Sequence, residues 1–290
     1  MAKLIFLTMV AGALIFISGM VEAEDQPKHE GCVPFRWVPW PGVSSKGAIM
    51  VSVLINGNES KDFQLDTGAF SSYINIPKSA DSLEPSASSP IKSLSLAGLQ
   101  LNTNNIHINA PDINDGNTLG IAQLIGHTIV LDLKNSTLCI FKGETILNSL
   151  LDKFDWIDGK FLFGHMLTPG WVGQSKVPLL FDTGSAHFEL YTSRANWENI
   201  TYKSPSEAQQ IIAGNVWGKR VNFLGAYAEK NIRVGNFETA SPPLTFYRED
   251  DPDLFNSGGY YGVVGLSLFS NSSIAFNFDS KSPKLGIAKH

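Results

Sequence analysis

Cysteine is almost absent: Cys32 and Cys139 are the only two in 290 residues. Two thiols cannot build a disulfide-dense scaffold or a zinc site held by four thiolates. No basic block occurs. Lys and Arg number 22 against 27 Asp and Glu, a net charge of −5, which leaves no electrostatic footprint for nucleic acid. The chain lacks a His-Glu-x-x-His helix, a Gly-x-Ser-x-Gly elbow, a phosphate-binding loop and a dinucleotide fingerprint. The histidines, at 29, 107, 127, 165, 187 and 290, show no metal-ligand spacing, so no metal and no cofactor is expected. Past the amino terminus no apolar run approaches the roughly 17–25 residues that span a membrane. What is present suits a folded protein: 43% hydrophobic residues with only 17% charged, in a length that allows one large domain or two modest ones.

The amino terminus reads as an export signal. Lys3 precedes an apolar stretch from Leu4 to Ile17, followed by Ser18-Gly19-Met20-Val21-Glu22-Ala23. A positive start, a short apolar middle and small residues before a cut describe a secretory signal peptide over residues 1–23. The mature chain is then expected outside the cytoplasm, periplasmic or extracellular, with no membrane attachment after cleavage. In an oxidising compartment an even pair of cysteines reads as a disulfide, Cys32–Cys139.

Residues 24–46 are rich in Pro, Trp and charge and read as an extended arm rather than a regular element. From Gly47 short alternating runs separated by Gly and Asn take over. Ile49–Ile55 and Phe63–Leu65 flank Asn56-Gly57-Asn58, and Leu94–Ile108 repeats the pattern about a turn at Ala97-Gly98. Further strands are expected at 128–133, 161–163, 177–181, 216–227, 232–234 and 274–278. Glu144–Phe154, with apolar residues at 146, 147, 150, 151 and 154, has a helical spacing and is the best helix candidate, near the junction between the halves. The pattern predicts an all-β protein.

An internal repeat organises these strands. Phe63-Gln64-Leu65-Asp66-Thr67-Gly68-Ala69 matches Leu179-Leu180-Phe181-Asp182-Thr183-Gly184-Ser185. Downstream, Thr118-Leu119-Gly120 matches Val263-Val264-Gly265. The halves divide as an amino-terminal lobe over 47–155 and a carboxy-terminal lobe over 156–290. One Asp-Thr-Gly is a common turn sequence. Two at equivalent places, each at the end of an apolar strand where a lone carboxylate is costly, point to a shared role for Asp66 and Asp182.

On these residues the chain resembles the pepsin and retropepsin superfamily of aspartic proteases. The resemblance implies a bilobal β fold, two β-barrel lobes related by a pseudo-twofold axis with few helices. It also implies a cleft between lobes with Asp66 and Asp182 as the catalytic pair. Thr67 and Thr183 would cross-link the two loops through their hydroxyls. Gly68, Gly184 and Ser185 would complete the loop support. Two carboxyl groups held close share one proton, so that one can activate water while the other donates to the substrate carbonyl. The partner would be a polypeptide in the cleft, and a monomer suffices.

The sequence departs from the family pattern in places. Ala69 stands where pepsins carry a hydroxyl residue, as it does in retropepsins. His187 occupies the position matching Ser71, where it would either approach the aspartates or, as expected here, pack at the lobe surface. No first-half tyrosine after Asp66 except Tyr73 is available for a pepsin-type flap, which leaves the hairpin at Ala97-Gly98 as the flap candidate. A protein that keeps this fold but binds peptides with little or no catalysis is the alternative these departures leave open.

Overall fold

Strand Ser44–Ile55 shows how the pattern becomes structure. Val51, Val53 and Ile55 are buried while Ser52 and Leu54 face outward, the period-two alternation of a sheet with one covered face. Asn56 and Gly57, both with positive φ (52° and 76°), reverse the chain into strand Glu59–Leu65. The computed structural model describes residues 30–75, 91–108, 116–143, 148–216, 219–250 and 254–289. The expected signal peptide lies outside the described residues.

The described strands form three sheets. One of eight strands belongs to the first half and one of ten to the second. In each, the strand that delivers an Asp-Thr-Gly pairs in parallel with the strand that ends in the matching glycine. Leu65 lies beside Leu119 in the first half, and Phe181 beside Val264 in the second. The all-β bilobal architecture read from the sequence is what the chain adopts.

The third sheet has six strands drawn symmetrically from both halves. Strands Glu30–Pro34, Thr137–Lys142 and His127–Asp132 come from the first. Ser273–Asn277 and Lys284–Ala288 continue it from the second, and Phe154–Asp158, at the junction of the halves, completes it. The halves meet where Thr128 pairs with Asn277 and Leu131 with Ile274. At this seam the buried Asn277 amide donates to Thr128 Oγ1 over 2.8 Å. Cys32 and Cys139 are cross-strand neighbours in the sheet and are joined in a disulfide, with Cα atoms 4.0 Å apart.

Three local expectations are corrected. The segment read as an irregular arm contains strands Glu30–Pro34 and Arg36–Trp40, because Phe35 is buried and Val33 and Trp37 pack beside it against the core. The helix expected over 144–154 is confined, among the described residues, to Asn148–Leu151, with 144–147 outside them. Phe154 opens a strand instead, since pairing Phe154 with Ala288 and Trp156 with Gly286 completes the sheet edge and overrides a helical spacing. Helix Arg194–Thr201 was not expected. Its signal is Ser193, whose hydroxyl accepts from Asn196 N (3.2 Å) as an N-cap, followed by buried Trp197, Ile200 and Thr201 on one face.

Candidate active site

Asp66 and Asp182 are delivered by equivalent backbones. Asp66 N donates to Leu119 O and Asp182 N to Val264 O, each over 3.0 Å, so each aspartate is anchored to the strand that carries its partner glycine. Beyond it the chain turns at once: Ala69 N donates to Asp66 O (3.3 Å) and Ser185 N to Asp182 O (3.2 Å). Gly120 and Gly265 admit these turns, because a Cβ at Gly120 would lie 2.5 Å from Ser71 O, and one at Gly265 would overlap Ser185 O.

The two carboxyl groups hydrogen-bond to one another across the lobe boundary. Asp66 Oδ1 accepts from Gly68 N (2.9 Å) and Ala69 N (3.0 Å). Asp182 accepts from Gly184 N (2.7 Å), from Ser185 Oγ (2.7 Å) and, across the boundary, from Gly68 N (3.1 Å). The glycines are required by proximity. A Cβ at Gly184 would lie 2.7 Å from Asp66 Cγ, and one at Gly68 would overlap the Asp182 carboxylate. Burial, reinforced by the charge of Asp182 and the bond to it, holds the Asp66 carboxyl well above its ordinary value of 3.8, although the Gly68 and Ala69 amides pull it down.

Behind the carboxylates, Thr67 and Thr183 lock the loops together. Thr67 Oγ1 donates to Phe181 O (2.8 Å) and accepts from Thr183 N (3.1 Å). Thr183 Oγ1 donates to Leu65 O (2.7 Å) and accepts from Thr67 N (3.0 Å). Both hydroxyls are buried and both use donor and acceptor capacity. Thr183→Val should therefore orphan a carbonyl and an amide at about 1–3 kcal/mol each, read as a lower urea midpoint at unchanged slope. An unaltered midpoint would show that the lock does not bear on stability.

The pair lies in a cleft of about 900 Å³. His187 neither approaches the pair nor packs at the outer lobe surface, which corrects the expectation for it. It lines the cleft with its ring centroid 5.6 Å from Trp40, 5.7 Å from Phe188 and 6.1 Å from Phe246. Burial alone holds its imidazole below the ordinary value. The flap candidate is also corrected. Leu94–Leu96 and Leu99–Leu101 turn their leucines into the core, the first of these strands pairs with Leu54 and Ile55, and the tip at Ala97 rests on Gly31. None of these residues lines the cleft. Tyr73 does, stacked on His107 at 5.1 Å.

No protein-family model matches the sequence, and no curated protein matches it. Among solved structures the chain is similar in fold to the aspartic proteinase from Irpex lacteus. The match has a TM-score of 0.52 at 12% identity and covers 90% of this chain and 98% of that one. At that identity the likeness is one of fold.

Trp40, His165 and Tyr260 also line the cleft; from the sequence Trp40 is expected only to pack the terminal arm onto its domain, and His165 and Tyr260 carry no assigned role. Trp40 comes from the first-half segment yet packs on Phe188 and Phe223 of the second, with Gly214 leaving room for its ring. For His165 a signal was available. The hairpin about Gly173-Gln174 pairs Val172 with Ser175, and counting outward places His165 level with Asp182. Among the described residues no group of three His, Cys, Asp or Glu side chains is placed to hold a metal ion.

Proposed function

We propose that the protein is an exported aspartic endopeptidase, related to the pepsin and retropepsin superfamily, that hydrolyses peptide bonds with a water activated between Asp66 and Asp182. One observation carries this reading: two carboxyl groups, hydrogen-bonded to one another at the floor of a cleft, arrive on equivalent loops from two equivalent half-chains. The charged member of the pair takes a proton from water. The resulting hydroxide adds to the scissile carbonyl carbon, and the protonated member donates to the carbonyl oxygen. Collapse of the tetrahedral intermediate returns a proton to the leaving amine. Gly68 N and the Ser185 hydroxyl stabilise the charge in both states. The substrate is an extended polypeptide, handled by a single copy of the chain.

The test is cleavage of a peptide library by the mature protein from acid to neutral pH, with and without pepstatin. Turnover should rise and then fall with pH, since one carboxyl must be charged and the other protonated. The falling limb should lie above the ordinary carboxylate range, because Asp66 loses its proton late. Binding without cleavage at any pH would replace the enzyme with a peptide-binding protein of the same fold.

A further inference from the structure

The two lobes differ at one position beside the carboxyl pair. Within the first lobe the antiparallel register sets Met50 against Gln64, and two residues further on it sets Ala48 level with Asp66. In the second, Leu167 faces Leu180, and the same extension sets His165 level with Asp182. Ala48 and His165 both line the cleft, so equivalent sites hold a methyl group beside one aspartate and an imidazole beside the other. The His165 ring lies against the Gly68 carbonyl and within electrostatic reach of Asp182, and its Nδ1 is buried with no hydrogen-bond partner. A second difference runs the same way. Ser185 donates a hydroxyl to Asp182, whereas Ala69 at the matching place offers Asp66 only its amide.

We propose that His165 is a positioning residue that polarises the carboxyl pair, holding the negative charge on Asp182 and leaving the shared proton on Asp66. Asp182 accepts three donors where Asp66 accepts two, and the only imidazole beside the pair, among the described residues, stands level with it. Hydrogen bonds to a charged form and a nearby proton carrier both favour that form. The other groups facing His165 do not compete. Tyr260, with its ring 6.5 Å away, is pushed up to about 12 by burial and by Asp182 and stays neutral. Lys160, on the neighbouring strand, is exposed and pairs with Leu167. Burial keeps the His165 ring neutral above its ordinary range, while Asp182 and the Gly68 carbonyl draw a proton onto it as pH falls. The positive ring then stands beside Asp182 and favours the arrangement in which the pair's negative charge lies there and its proton on Asp66. In the hydrolysis proposed above, Asp182 is thus the acceptor of the water proton and Asp66 the donor to the carbonyl oxygen.

The charge assignment stands on geometry; only its kinetic consequence rests on the peptidase reading. The direct test follows the His165 imidazole by NMR across pH in the mature protein, in Asp182→Asn and in Asp66→Asn. Removing the Asp182 charge should lower the His165 midpoint by about one pH unit, a tenfold loss of proton affinity, and removing Asp66 should move it much less. Equal shifts, or none, would overturn the proposal. Should either variant fold poorly, the unaltered protein decides. His165 should show a second inflection where the carboxyl pair takes up its second proton, and a single smooth transition overturns the proposal. On a cleaved peptide, His165→Gln keeps a donor for the Gly68 carbonyl but cannot be charged. It should move the acid limb of kcat/KM to higher pH with KM unchanged, whereas a residue that only shapes the cleft would change KM and leave the limb in place. A His165 that senses Asp182 in a protein that cleaves nothing would sink the peptidase reading alone.

Discussion

Asp66→Asn and Asp182→Asn should each reduce peptide hydrolysis by a factor on the order of 10³ or more, and the double variant should be scarcely worse than either. The pair acts as one unit, and groups that act as a unit give losses that do not add. Either change deletes a carboxyl that the water or the carbonyl needs, while Asn fills nearly the same volume and keeps an acceptor for the Gly68 and Gly184 amides. A separate effect on stability tells the single variants from a folding defect. Asp66 is held well above 3.8 in the fold, so between 3.8 and its folded value the native state binds more protons than the unfolded chain. Stability therefore falls as pH rises through that window. Asp66→Asn removes the loss and should melt higher than the parent protein near neutral pH, with the gain gone below about 3.8. Full activity in either variant, contaminating proteases excluded, would sink the assignment of the pair. An inactive variant that also melts lower at neutral pH would point to damage instead.

Removing the disulfide should have the largest effect on stability. Cys32 and Cys139 are 107 residues apart in sequence, and closing a loop of that length is worth on the order of 4–5 kcal/mol when the cross-link acts by restricting the unfolded chain. The bond also ties strand Glu30–Pro34, at the outer edge of the shared sheet, to Thr137–Lys142. With Cys32→Ala and Cys139→Ala together, the urea midpoint should fall steeply and the slope should rise, because the unfolded chain expands. Strand Glu30–Pro34 should then exchange its amide hydrogens ahead of the rest of the sheet. A midpoint equal to that of the oxidised protein would mean the edge strand is held by its ladder alone.

The two Asp-Thr-Gly loops were legible because their constraints are local and repeated. An apolar strand ending in Asp-Thr-Gly needs only a matching apolar-Gly strand, and both copies are written in the sequence. Much of the rest depends on partners far along the chain. Phe154 and Trp156 are strand residues because Gly286 and Ala288 lie beside them, a relation no window around 144–154 contains. The hairpin at Ala97 has sound turn chemistry, but whether it covers the cleft is decided by Gly31 and Ile55, which hold it elsewhere. Trp40 reads as a terminal aromatic between prolines, and its place among Phe188 and Phe223 follows only once the halves are docked. His187 was noticed because it breaks the repeat. His165 breaks it as well, opposite Ala48, but that shows only after both hairpins are counted back from their turns.

The shared sheet has a consequence for how the protein comes into being. Strand His127–Asp132, with Ile129 and Leu131 fully buried in the finished fold, finds one of its two neighbours only in Ser273–Asn277. Asn277, which meets Thr128 there, is added 149 residues after it. During ordered growth of the chain, the first half therefore reaches full length with one side of that strand unpaired, ready to template another strand. Nascent chains that fold as they emerge would present this edge to one another, so yield should depend on chain concentration. Release of the whole polypeptide before folding begins would avoid it, since the closing strand is then already at hand.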